Sequence, residues 1–290
     1  MSNATPPIRT LPSFLRNPAV RIVIGMLAVL VPTAILQFGI TALPIDRLPR
    51  NILLGLLTPP VIFWAYATFV RLTEQRAVSE LGRQGALSEF GIGLLGGAVL
   101  AVLVFGILAF FGAYKVTGTN GLEVLLVPLF GWIASAVLEE VLFRGILFRI
   151  MEQALGSWLG LALSAMVFGG LHLLNANATV MGAVSVMLTA GLLLAAAFML
   201  TRRLWLPIGI HYAWNFLQSA VFGGVVSGTG PSTGLFQSRL DGPDWLTGGV
   251  FGAEASVVIV VLAMVGTALI LTRVVKSGSI VPPPWRRSRI

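Results

Sequence analysis

The chain has no cysteine, only two histidines and three tyrosines, and little charge. Without cysteine it can form no disulfide, no thiolate metal site and no cysteine nucleophile. Charged residues make up 10% of its 290 positions, against roughly 25% in an average soluble domain. Hydrophobic residues make up 56%, and the mean hydropathy is +0.91. A soluble fold cannot cover that much apolar surface, so disordered, fibrous and ordinary soluble classes are excluded. What remains is an all-α polytopic membrane protein. The apolar runs leave no room for a soluble domain, and residues 1–290 read as a single integral membrane domain. The net charge of +8 fits basic cytoplasmic loops rather than a nucleic-acid partner.

Apolar segments near 19–40, 51–70, 90–111, 122–148, 157–175, 178–200, 205–224 and 250–272 predict a bundle of about eight transmembrane helices in a cell membrane. The first, preceded by Arg9 and Arg16, reads as a retained signal anchor. With a cytoplasmic N-terminus, 15 basic residues fall inside and 4 outside (Arg47, Arg50, Lys115 and Arg239). That bias predicts both termini cytoplasmic. The stretch 71–89 reads as a short interfacial helix. The stretch 150–160, with Glu152 and Gln153, reads as another, the true fifth span starting later. Residues 225–249 read as an irregular external loop, and 276–290 as a basic cytoplasmic tail on the anionic inner leaflet.

Several spellings carry no chemistry. Gly91-x-Gly93-x-x-Gly96 matches a dinucleotide fingerprint in letters but opens an apolar span, which predicts close helix packing instead. Leu240-Asp241-Gly242 lacks the H-E-x-x-H partner of a zinc protease. Asn177-Ala178-Thr179 is a sequon by spelling only. No internal repeat is visible.

Ionisable residues inside spans are costly and usually functional. Glu139 and Glu140 lie together in the fourth apolar segment, His172 in the fifth and His211 in the seventh. Glu140 and Arg144 are four apart and can pair on one helix face. Phe168 and His172, and His211 and Asn215, have the same spacing. Glu139 is rotated by about 100° from Glu140 and can face another partner. Each group alone has a structural explanation, as an ion pair, a packed histidine or an interhelical amide. Together they suit water activation and oxyanion stabilisation.

Glu139-Glu140-x-x-x-Arg144, Phe168-x-x-x-His172 and His211-x-x-x-Asn215 resemble the three motifs of the CPBP family, the CAAX-protease and bacteriocin-processing (Abi) intramembrane endopeptidases. The resemblance covers residues 122–224, the expected catalytic core. It implies an eight-helix bundle in which Glu139 and His172 activate water. Glu140 and Arg144 would support the site, and His211 and Asn215 would stabilise an oxyanion.

The expected function is therefore an intramembrane endopeptidase, cleaving a peptide or protein substrate near the cytoplasmic side of the bilayer. A proton-coupled transporter would use the same groups as a relay, and a non-catalytic immunity or scaffold member would keep the fold without turnover. One Glu and two His, here Glu139, His172 and His211, form a legitimate zinc set. No short ligand pair preorganises them on one helix. The expectation is metal-free catalysis, with a divalent ion such as zinc as the alternative.

Overall fold

The computed structural model describes residues 13–287. Arg9, Arg289 and the end of the basic tail lie outside the described residues. Seven helices are long and apolar enough to cross a membrane: α1 (Pro18–Thr41), α2 (Arg47–Glu74), α3 (Ala86–Phe110), α4 (Leu122–Leu155), α5 (Ser157–Leu174), α6 (Val180–Thr201) and α8 (Val257–Lys276). Between the last two runs α7, which starts as Trp205–Phe216 and continues through a π-helical Leu217–Val221. It corresponds to the predicted seventh span, 205–224, and is shorter than the other seven. A two-stranded antiparallel ribbon pairs β1 (Tyr114–Thr119) with β2 (Phe236–Leu240). Among the described residues the fold is all-α apart from this ribbon.

Outward-facing positions carry large apolar side chains, such as Phe38, Trp64, Leu87 and Phe110. Such a surface is stable only against lipid. Polar groups gather inside instead. One core joins Val29, Ile62, Tyr66 and Phe69 to Val137, Ile146, Phe198 and Ile208. A second joins Val104, Phe105 and Leu108 to Leu194, Ile210, Trp214 and Ile259. Helix α7 is the centre of the bundle, and its Leu206–His211 run is buried.

Small residues allow α7 to sit there. A Cβ on Gly93 would lie 2.4 Å from the Leu206 carbonyl oxygen, and one on Gly97 would lie 2.4 Å from that of Ile210. A Cβ on Gly209 would meet the Phe90 oxygen at 2.4 Å. The close approach predicted for this glycine-rich run is present, but its stripe is Gly93 and Gly97. Gly91 has nothing within 4 Å, and Gly96 meets only the end of Ile210 at 3.8 Å. Gly209→Val is expected to cost about 1–3 kcal/mol through overpacking, and Gly91→Ala to leave stability unchanged or slightly raised. Thermal unfolding of the two variants in detergent checks this; equal melting would remove the packing argument.

The two predicted interfacial helices are absent from the described residues. Residues 75–85 hold only a 3₁₀ turn, Ser79–Leu81. Glu74 and Glu80 are drawn into the bundle by arginines rather than lying on the bilayer surface. Arg149 donates to both Glu74 oxygens at 2.7 Å, Arg21 to one at 2.7 Å, and Arg76 bridges Glu74 and Glu80 at 2.7 and 2.6 Å. Helix α4 continues to Leu155, and Gly156, at φ 86°, turns the chain directly into α5. Glu152, unsuited to lipid, is buried and paired with Arg202 and with Ser157 Oγ at 2.5 Å. The start of the predicted tail is docked: the Val281 carbonyl accepts from Ser157 N at 2.9 Å, and Val281 N donates to Ser157 Oγ at 2.9 Å. Lastly, α8 begins at Val257, so residues 250–256 belong to the preceding loop and not to the span.

Candidate active site

Helix α4 changes pitch at the Glu139-Glu140 pair. It is α-helical through Glu140 and π-helical over Val141–Phe148. Such widened turns recur at functional sites because they free backbone groups and re-aim side chains. Gly145 anchors the segment, its carbonyl accepting from Arg149 Nε at 2.7 Å and Tyr66 Oη at 3.2 Å. A second π segment, Met187–Gly191 in α6, lies opposite. Its carbonyls at Ala190 and Gly191 accept from Arg144 at 2.7 and 3.4 Å.

The two carboxylates face different surroundings. Glu140 is fully buried, and its Oε1 accepts from Arg144 at 2.9 Å and from His211 Nδ1 at 2.8 Å. The Arg144 guanidinium also stacks 4.5 Å above the Phe168 ring. Glu139 keeps 30% of its side chain exposed. Its Oε1 accepts from Ser135 Oγ at 2.9 Å, and its Oε2 lies 3.8 Å from His211 Nε2.

Glu139, His172, His211 and Asn215 line one cavity of about 340 Å³, together with Trp132, Ser135, Thr189 and Glu254. Its remaining wall is largely apolar, with Leu100, Phe143, Leu193 and Ile210. Glu140 and Arg144 are not in that wall; they lie behind it, holding His211. Thus all six sequence-selected polar residues are brought together, four at the cavity and two beneath it.

Hydrogen bonding restricts the imidazoles. His172 Nδ1 is 2.7 Å from the Phe168 carbonyl, which only accepts. The hydrogen therefore sits on Nδ1, and Nε2 is left as an acceptor. His211 Nδ1 donates to the Glu140 carboxylate, which also accepts from Arg144. Its Nε2 then carries hydrogen only as imidazolium. The Asn215 side chain is buried and makes no hydrogen bond to another described residue, although it lines the cavity.

His172 lies in the last turn of α5 and Glu139 near the middle of α4, and both line the cavity.

One residue escaped sequence reasoning. Glu254 follows the ribbon loop, is buried, and reaches the cavity wall. Its Oε1 accepts from Trp214 Nε1 at 2.8 Å, and its Oε2 from Ser227 Oγ at 2.7 Å and from Ser227 N. The only available signal was an acid at the edge of an apolar segment, and its loop partners are distant in sequence.

Among the described residues no group of three His, Asp or Glu side chains converges as a metal site. His211 Nδ1 is bonded to Glu140 and His172 Nδ1 to the Phe168 carbonyl, so Nε2 is the ring nitrogen each has left for the cavity.

Fold and site together define a polytopic α-helical membrane protein with a cavity built from carboxylate, imidazole and amide groups. A family model described as Rce1-like, type II CAAX prenyl endopeptidase Rce1-like, matches residues 121–217. This segment holds all six polar positions, so the match supports the resemblance drawn from the three motifs. Over about a third of its length the chain carries the pattern of a CAAX-type membrane peptidase family. No curated protein and no solved structure matches the chain.

Proposed function

We propose that the protein is an intramembrane endopeptidase whose cavity hydrolyses a peptide bond with water activated by Glu139 and His172. The observation that carries this reading is the shared cavity of Glu139, His172, His211 and Asn215, backed by the buried Glu140–Arg144 pair. Glu139 is the partly exposed carboxylate and accepts the water proton. His172 Nε2 accepts the second water hydrogen bond and fixes the direction of attack. As oxygen adds to the carbonyl carbon, the oxyanion is met by the Asn215 amide and by His211 Nε2–H, with Glu140 holding the imidazolium. Breaking the C–N bond then takes the proton from Glu139 to the leaving amine. The apolar wall accommodates an apolar side chain beside the scissile bond.

Asn215→Ala removes one oxyanion donor and is expected to lower kcat by about 10²–10³-fold with little change in KM. Steady-state cleavage of a fluorogenic peptide library by detergent-purified protein measures it; an unchanged kcat would take Asn215 out of the mechanism. Glu254 acts as a positioning residue through Trp214 and Ser227. Glu254→Gln should retain most turnover, and Glu254→Ala should raise KM more than it lowers kcat.

The same reading makes catalysis metal-free. Activity should survive chelator at metal content far below stoichiometric, as measured by elemental mass spectrometry on active protein. Stoichiometric zinc whose removal stops turnover and whose return restores it would overturn this.

A further inference from the structure

The cavity belongs to one face of the bundle. Helix alternation puts the connections 42–46, 111–121, 175–179 and 222–256 at one end, and 75–85, Gly156, 202–204 and the chain after Lys276 at the other. Every cavity-lining residue contributed by a connection comes from the first end: Asn175, Val226, Ser227, Thr229 and Glu254. None comes from the second. A neighbouring cavity of about 590 Å³ is lined from the same end, by Arg47, Glu123 and Pro231–Thr233, and shares Trp132 and Ser135 with the first. Between them Ser219 Oγ accepts from Trp132 Nε1 at 2.6 Å and donates to the Asn215 carbonyl at 2.8 Å.

The two ends differ sharply in charge. By sequence, Arg47, Arg50, Lys115 and Arg239 are the only basic residues at the cavity end, against 15 elsewhere. At the opposite end Arg21, Arg76, Arg149, Arg202 and Arg203 enter the ion-paired clusters. Basic residues are retained on the cytoplasmic side during insertion, which places the arginine-rich end inside.

We propose that the site is reached from the extracytoplasmic side, and that its substrate is an extended peptide segment presented there, on an exported or membrane-anchored protein. This reverses the cytoplasmic-side cleavage expected from sequence. The reason is geometric: His172 sits at the outer end of α5, and the wall beside it is built from outer connections. The peptide as occupant rests on the endopeptidase reading, whereas the side of access does not.

The cysteine-free chain supplies a clean background. Thr229→Cys and Val116→Cys probe the cavity end; both positions are exposed. Gln84→Cys and Ser277→Cys, also exposed, probe the other end. In intact cells a membrane-impermeant maleimide should label the first pair and leave the second unlabelled until the membrane is permeabilised. Labelling of Gln84→Cys with protection of Thr229→Cys, or equal labelling of both in intact cells, overturns the proposal. The second arm adds fluorogenic peptide to right-side-out and inverted vesicles. Turnover confined to right-side-out vesicles supports the proposal, and turnover confined to inverted ones overturns it. External labelling of Thr229→Cys without turnover in either vesicle sustains the side of access and removes the peptidase reading.

Discussion

Glu139→Gln is expected to abolish peptide hydrolysis while leaving the fold intact. The carboxylate is partly exposed to the cavity, and among the described residues its protein partners are Ser135 Oγ and, more distantly, His211 Nε2. An amide fills the same volume and keeps an acceptor for Ser135. It cannot take a proton from water at any accessible pH. The loss of a positioned general base costs about 10²–10⁴-fold in rate, which should bring turnover near background. Purified wild type and variant, compared for thermal stability and for cleavage of the same peptide, check both halves. A variant with normal melting and normal turnover would remove Glu139 as the base.

Arg144→Ala should act differently, by undermining the bundle. It strips the counter-charge from Glu140, which is fully buried. It also leaves the Ala190 carbonyl without its donor and empties the space above Phe168. Removing one partner of a buried ion pair costs about 3–5 kcal/mol, because the other charge stays buried. Arg144→Lys should recover little, since an ammonium cannot reproduce a fork that reaches Glu140 and Ala190 together while stacking on a ring. The measurement is melting temperature in detergent, beside yield of monodisperse protein. A stable Arg144→Ala protein that had lost only turnover would show Arg144 acting at the reaction itself.

These two outcomes separate residues that are adjacent in sequence. Glu139 and Glu140 are neighbours in the chain, but one lines a cavity and the other lies behind its wall. Their rotation about the helix axis was legible from residue spacing, and so was the pairing of Glu140 with Arg144. The link from Glu140 to His211 was not, because it joins α4 to α7 across 71 positions. That link confines hydrogen on His211 Nε2 to the imidazolium form, and so bears on what the residue can do to an oxyanion.

The sequence by itself determined the membrane class, the run of apolar segments and the six polar positions. Each follows from composition or from local periodicity, and the insertion cost of an intramembrane charge makes such residues conspicuous. Tertiary structure decided what depends on distant contacts. It assigned Glu74, Glu80 and Glu152, which looked like residues of interfacial helices, to buried ion pairs with arginines from other segments. It showed the glycine stripe to be Gly93 and Gly97, because only those two face the backbone of α7. It brought Glu254 from beyond the ribbon loop to the cavity wall, where Trp214 and Ser227 satisfy it. It also settled which end of the bundle builds that wall. No local pattern encodes this, since the wall exists only once the connections at that end have folded over the helices.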